Sequence, residues 1–256
     1  MRNRTFYSTT VLLICLAAQY GCDGGDEGGL PPRLDYREYI ERPEDIVTFD
    51  SLEEAAAALD EICAAVSAPG RTFAVTGIED GDTIIISDGR RIRYTGIDAP
   101  ETHSDRGVDD PYAAGAAEFN RKLLRGARVQ LIFDEEKKDR YGRTLAYVFV
   151  LLDEDGRERK FVNAQMVLAG YALAKRFPPN IKYAGVLSGI EELAARKKKG
   201  LWRTTPSGYA ASRKSDVFHR KTCKWAQKIS PDNLIEFATR KEAFESGRRP
   251  CRTCKP

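Results

Sequence analysis

Three kinds of hydrophobic pattern follow one another along the 256-residue chain. Residues 5–18 are a mostly apolar block centred on Val11, Leu12, Leu13, Ile14, Cys15 and Leu16, shorter than a bilayer span requires. Residues 51–66 carry Leu52, Ala55, Ala56, Leu59, Ile62, Cys63 and Val66 at helical spacing, behind a Ser51–Glu54 capping box. From residue 71 the period falls to two. Strands are predicted over 71–78, 82–87 and 90–97, and Asp88-Gly89 between β-branched runs is a strong hairpin signal. Ala116, Phe119, Leu123 and Leu124 share one face of a predicted helix over 112–126. Strands follow over 127–133 and 143–152, then helices over 161–169 and 183–198. Five strands broken by one helix, with two more helices after them, predict a mainly β plus α fold: a small closed barrel with helices packed outside.

Composition removes several classes. Hydrophobic residues are 42% and charged residues 31% of the chain, which excludes a collagen, a coiled-coil rod and a wholly disordered protein. Only His103 and His219 are histidines, so no centre built on several imidazoles is available. The net charge of +3 hides an asymmetry. Residues 23–66 hold 13 acidic and 3 basic residues, whereas residues 213–256 hold 12 basic and 5 acidic. A basic body suits an anionic partner such as nucleic acid.

The N-terminal block follows Arg2 and Arg4 and ends at Gly21-Cys22, before a Gly/Asp-rich stretch. It reads as an export signal over residues 1–22. A small residue before Cys22 and a flexible tether after it resemble a bacterial lipoprotein signal, which implies a lipid on Cys22 and an extracytoplasmic chain in the cell envelope or secreted. Residues 23–66 are expected to be an acidic linker ending in a spacer or docking helix, with Cys63 as a small buried apolar residue.

Three segments between residues 67 and 204 carry chemistry: Asp80-Gly81-Asp82-Thr83, then Arg93-Tyr94-Thr95-Gly96-Ile97-Asp98-Ala99-Pro100-Glu101-Thr102, then Asp139-Arg140-Tyr141-Gly142-Arg143. Two carboxylates from separate strands, with backbone carbonyls nearby, can form an all-oxygen site for a hard cation. A third carboxylate just beyond can act on water. Two arginines suit bidentate clamping of a phosphate. Each segment alone is commonly a turn or a strand end, but their joint occurrence in this order on this strand pattern is specific.

Residues 71–203 resemble the staphylococcal nuclease-like (thermonuclease) family. The resemblance implies a five-stranded OB-type barrel with three helices, and hydrolysis of DNA and RNA, preferably single-stranded, to products ending in 3′-phosphate. It implies Asp82, Asp98 and the main-chain carbonyl of Ala99 as ligands of one Ca²⁺, with Asp80 behind them. Glu101 is implied to activate or orient the attacking water. Arg93 and Arg143 are implied to hold the phosphate and stabilise the transition state, and Arg140 and Tyr141 to contact a terminal phosphate. The family often carries base-stacking tyrosines after this point; here Ala172–Pro179 is shorter and offers Phe177 instead.

Residues 214–256 form a separate small α/β module in this reading. His219-x₃-Cys223 and Cys251-x₂-Cys254 supply four nitrogen and sulfur ligands suited to a structural Zn²⁺. A disulfide is the competing reading, but three cysteines leave one unpaired. The sequence around these ligands resembles the zinc-binding domain of the Ada methylation-repair protein. His219 stands where that domain has its methyl-accepting cysteine, so the resemblance implies zinc and a DNA-binding tendency, not methyl transfer. The expectation is therefore an extracytoplasmic Ca²⁺-dependent nuclease with a zinc module. The rival is a catalytically inactive barrel that only binds nucleic acid.

Overall fold

The structure is a computed structural model and describes residues 47–66, 70–101, 112–203, 207–254 and 256. The expected signal segment, Cys22 and the acidic stretch up to residue 46 lie outside the described residues. Among the described residues no helix is long and apolar enough to cross a membrane.

The first helix, α1 (Leu52–Ala65), is capped by the Ser51 side chain, which accepts from the Glu54 main-chain N–H at 3.1 Å. Its apolar stripe of Ala55, Leu59, Ile62 and Cys63 is buried in the same core as the barrel. The helix is thus a docked element, not a spacer.

The barrel follows. β1 (Thr72–Ile78), β2 (Thr83–Ile86) and β3 (Arg91–Tyr94) run as an antiparallel meander, joined by the expected turns. The predicted third strand is longer than the observed one. It breaks at Thr95–Gly96 and resumes as a two-residue β4 (Ile97–Asp98). Gly96 has φ +80°, and a Cβ there would lie 2.8 Å from Leu187 Cδ1, so the break needs glycine twice over. After helix α2 (Ala113–Leu124), β5 (Arg128–Ile132) pairs with β1, and β6 (Thr144–Leu151) pairs antiparallel with β5 and parallel with β3. The circuit β1–β2–β3–β6–β5 closes, giving the five-stranded barrel that the periodicity predicts.

β7 (Arg159–Phe161), which the hydrophobic pattern does not reveal, extends the sheet beyond β6. It carries Arg159, whose Nη1 donates to the Cys63 carbonyl at 3.2 Å and to the Val66 carbonyl, fastening α1 by its C-terminus. Helix α3 (Val162–Leu168), the short β8 (Leu173–Ala174) on β4, and helix α4 (Ala184–Arg196) complete this part. Tyr147, Phe149, Phe161 and Tyr183 meet in stacked and edge-on contacts inside it.

The C-terminal part is a four-stranded sheet in the order β11 (Leu234–Phe237), β9 (Tyr209–Ser212), β10 (Val217–Arg220), β12 (Arg249–Pro250), with helix α5 (Arg240–Glu245). Strand alternation gives it two faces. Tyr209, Ala211 and Phe218 pack with Ala243 and Phe244 on one, while Ala210 packs with Cys223, Ala226 and Cys251 on the other.

Leu59→Ala should lower the unfolding free energy of the whole barrel by about 2–5 kcal/mol, read as a single shifted denaturant transition. A helix that is only a spacer would leave that transition where it is.

Candidate functional site

Two turns and one side-chain amide build the mouth of the barrel. Asp80 Oδ1 accepts from the Asp82 N–H at 2.9 Å, which sets the turn before β2. Asn120, buried on α2, holds that turn from behind: Nδ2 donates to the Asp80 carbonyl at 3.0 Å, and Oδ1 accepts from the Tyr94 hydroxyl at 2.9 Å. Gly81 lets the turn lie against β4 and α2. A Cβ there would meet Ala99 Cβ at 2.6 Å and Ala116 Cβ at 2.8 Å.

The approach brings Asp82 and Asp98 onto one guanidinium. Arg93, buried on β3, donates through Nη1 to the carbonyls of Tyr94 and Ile97 at 2.8 and 2.9 Å. Its Nη2 lies 3.1 Å from Asp82 Oδ2 and 2.9 Å from Asp98 Oδ1. Asp82 Oδ2 also accepts from the Ala99 N–H at 2.7 Å, so the expected carbonyl donor at Ala99 belongs to a residue held directly beside both carboxylates. Lys175, which the sequence reading passed over, donates from Nζ to Asp98 Oδ2 at 2.6 Å. An isolated Lys after Leu-Ala carries no signal of its own; only the β4–β8 pairing reveals it.

Burial pushes Asp82 up to about 7 against the pull of Arg93, with the negative charges of Asp80 and Asp98 adding to the rise. Glu101 sits at the exposed rim. Partial burial raises it above the usual carboxylate range, the charge of Asp80 adds to this, and Arg93 and Arg143 pull it back. Glu101 is therefore within the field of both arginines.

Arg143 arrives from the other side of the barrel seam, just before the β6 residue Thr144 that pairs with Ile92 of β3. Asp139 fixes it: Oδ2 accepts from Arg143 Nε at 2.7 Å, and Oδ1 accepts from the N–H groups of Tyr141 and Arg143, both at 2.9 Å. Burial alone would raise Asp139, but these donors hold it below its usual value. The Tyr141 ring is two-thirds exposed and has the Arg140 and Arg143 guanidinium carbons 4.8 and 5.6 Å from its centroid. Phe177 lies on the segment after β8, its ring 5.6 Å from Lys175 Nζ.

A second cluster lies in the C-terminal sheet. One ligand atom each from His219, Cys223, Cys251 and Cys254 fall within 4.8 Å of one another. Burial holds His219 below its usual pKa and hence neutral, the form that ligates metals. Its Nδ1 is buried with no hydrogen-bond partner, an orphan that a metal would satisfy.

Asp82 supplies a signed prediction. Its folded-state pKa of about 7 lies above its ordinary 3.8, so over that window the folded chain holds a proton that the unfolded chain has lost. In the absence of divalent cations this group therefore costs stability as pH rises through that window, by at most about 1.4 kcal/mol per pH unit. Asp82→Asn should flatten the dependence and melt higher at pH 8; an Asn variant that melts lower and keeps the same slope would show that Asp82 is not strained by burial.

Comparison with known proteins agrees with the fold. Residues 91–204 match the family described as staphylococcal nuclease homologue. The chain is 40% identical over 136 residues to a thermonuclease of Staphylococcus intermedius, across 52% of this chain and 77% of the relative. It is 37% identical over 135 residues to a thermonuclease of Staphylococcus hyicus, across 52% and 76%. It is 36% identical over 139 residues to endonuclease YncB of Bacillus subtilis, across 52% and 62%. Identity at this level along most of two thermonucleases, with the family match over residues 91–204, means that the chain belongs to the staphylococcal nuclease homologue family and is a phosphodiester-hydrolysing nuclease.

Proposed function

We propose that the barrel mouth is a Ca²⁺-dependent centre that cleaves DNA and RNA outside the cytoplasm. The observation that carries this reading is the shared guanidinium: one Arg93 nitrogen serves Asp82 at 3.1 Å and Asp98 at 2.9 Å, with Glu101 in the field of both arginines. The residues fit a hard cation. Both side-chain donors are carboxylate oxygens and the Ala99 carbonyl is a third oxygen. Burial lifts Asp82 to about 7 against the pull of Arg93, with the charges of Asp80 and Asp98 adding to the rise, so a cation bound beside it would favour the ionised form. When bound, calcium supplies Lewis-acid polarisation of a phosphoryl oxygen.

The chain's own groups do the rest. Glu101 accepts a proton from water, whose oxygen attacks phosphorus. The bond from phosphorus to the 5′-oxygen breaks, its electron pair stays on that oxygen, and a proton from solvent water completes the 5′-hydroxyl, which leaves a 3′-phosphate on the other product. Arg93 and Arg143 offset the charge that accumulates on the phosphoryl oxygens in the transition state. Asp139 keeps Arg143 in place for that role. Arg140 and Tyr141 stand at an exposed rim suited to a terminal phosphate. Phe177, on the segment after β8, supports a preference for single strands, because only unpaired bases offer a face for stacking.

The C-terminal cluster is a structural Zn²⁺ site in this reading, supported by its four convergent ligands and the orphaned His219 Nδ1. Export, with lipid attachment at Cys22, is supported by the basic, apolar and Gly-Cys order of residues 1–22.

Glu101→Gln should lower kcat on single-stranded DNA by about 10²–10⁴-fold while leaving DNA binding intact. The wild-type rate should fall as pH drops through the raised Glu101 pKa, since only the ionised form takes the proton. An unchanged rate in the variant assigns the base elsewhere. Arg143→Lys should be similarly crippled, because an ammonium lacks the planar fork; near-normal turnover would move the clamp to another residue.

Elemental analysis should find one zinc per purified chain, lost in Cys254→Ser. A zinc-free wild type with a disulfide among Cys223, Cys251 and Cys254 would show that the cluster is oxidised instead.

A further inference from the structure

Arg220 joins the two clusters. Its main chain follows directly on His219, one of the four residues of the cluster, and the two residues share strand β10. Its side chain reaches helix α4 and strand β8, which flank the barrel. Nη1 donates to the Glu191 carboxylate on α4, and Nη2 donates to the Ala174 carbonyl at 2.5 Å. The other Glu191 oxygen accepts from the Ala174 N–H at 3.0 Å. Both side chains are buried, at 6% and 2% exposure, so neither exchanges this partner for water at low cost.

Ala174 is half of β8, and β8 is the support of β4. Ala174 faces Ile97 and Leu173 faces Asp98. Lys175 continues the contact: its N–H donates to the Gly96 carbonyl at 2.9 Å and its Nζ to Asp98 at 2.6 Å. A ladder of two residues has little stability of its own. Its position depends on what grips it from outside, and Arg220 with Glu191 grips both polar groups of Ala174. The nuclease chemistry makes no use of this buried ion pair.

We propose that Arg220 is a positioning residue that couples metal occupancy of the His219–Cys223–Cys251–Cys254 cluster to the Asp98 side of the nuclease site. A filled cluster fixes His219 and with it the backbone of β10. That fixes Arg220, the Arg220–Glu191 clamp holds β8, and β8 holds Asp98 and Lys175 in register. The C-terminal module thereby sets the cation affinity of the barrel. Coupling of this kind is reciprocal: a cation at Asp82 and Asp98 tightens the cluster's hold on its own metal by the same factor. The inference rests on the reading of both clusters as metal sites, and its test includes a readout that does not.

The experiment uses the full chain as wild type, Arg220→Gln, Cys251→Ser and the double variant, with Arg220→Lys as the form that keeps a charge opposite Glu191. Calcium affinity is measured by calorimetry, and amide hydrogen exchange is followed over residues 97–99 and 173–175. Arg220→Gln and Cys251→Ser should each weaken calcium about tenfold, a shift of the size that outer partners exert on metal affinity. Both should speed exchange in those two segments, and the double variant should be no worse than either single one. If Arg220→Gln does not fold, Arg220→Lys carries the test and should give a smaller shift of the same sign. Folded Cys251→Ser protein with wild-type exchange at 97–99 and 173–175 overturns the coupling, whatever its melting temperature. Wild-type protein that binds no calcium refutes the calcium reading instead, and the exchange data still decide the clamp.

Discussion

Arg93 is a buried cation between two carboxylates, and both terminal nitrogens of its guanidinium are engaged by the protein itself. An arginine in that position costs heavily to desolvate unless its partners are fixed. The surrounding architecture supplies the fixing. Asn120 pins the Asp80 turn, Gly81 lets Asp82 approach Ala99, and Gly96 folds the chain back so that Asp98 faces the same nitrogen. A second buried amide, Asn163, does the same for the neighbouring bend: it accepts from the Val148 N–H at 2.9 Å and donates to the Thr95 carbonyl at 2.8 Å.

This arrangement bears on catalysis. A guanidinium nitrogen shared between Asp82 and Asp98 cannot at the same time give its full strength to a phosphodiester. In the proposed reading a bound cation would take over the carboxylates and release Arg93 toward the substrate; burial of Asp82, which raises its pKa against the pull of Arg93, shows that the arginine alone does not fully offset its desolvation. Lys175 occupies part of that role on Asp98. Arg143, in contrast, is held by Asp139 through Nε and lies against the Tyr141 ring, and its charge reaches Glu101.

The barrel was legible because its strands alternate cleanly and its turns use Asp-Gly chemistry. The three acidic and basic segments could be read because their residues sit in turns and at strand ends, where short motifs survive translation into geometry. What stayed hidden depends on tertiary contacts. β7 and β8 are too short to show a period. Asn120 and Asn163 look like ordinary helical polar residues until the elements behind them are placed. Helix α1 was visible as an amphipathic stripe, but nothing local said that its stripe completes the barrel core. Arg220 was one basic residue among many next to a ligand; its direction follows only from strand alternation in β10 and from the helix that faces it.

The central claim, that Asp82 and Asp98 with Arg93 between them form the cation site of a nuclease, is tested most directly by titrating calcium into the full chain by calorimetry beside Asp82→Asn and Asp98→Asn. A single saturable site in the wild type, lost in both variants while zinc content is unchanged, is the predicted result. Wild-type calcium affinity in a folded Asp98→Asn protein would contradict it.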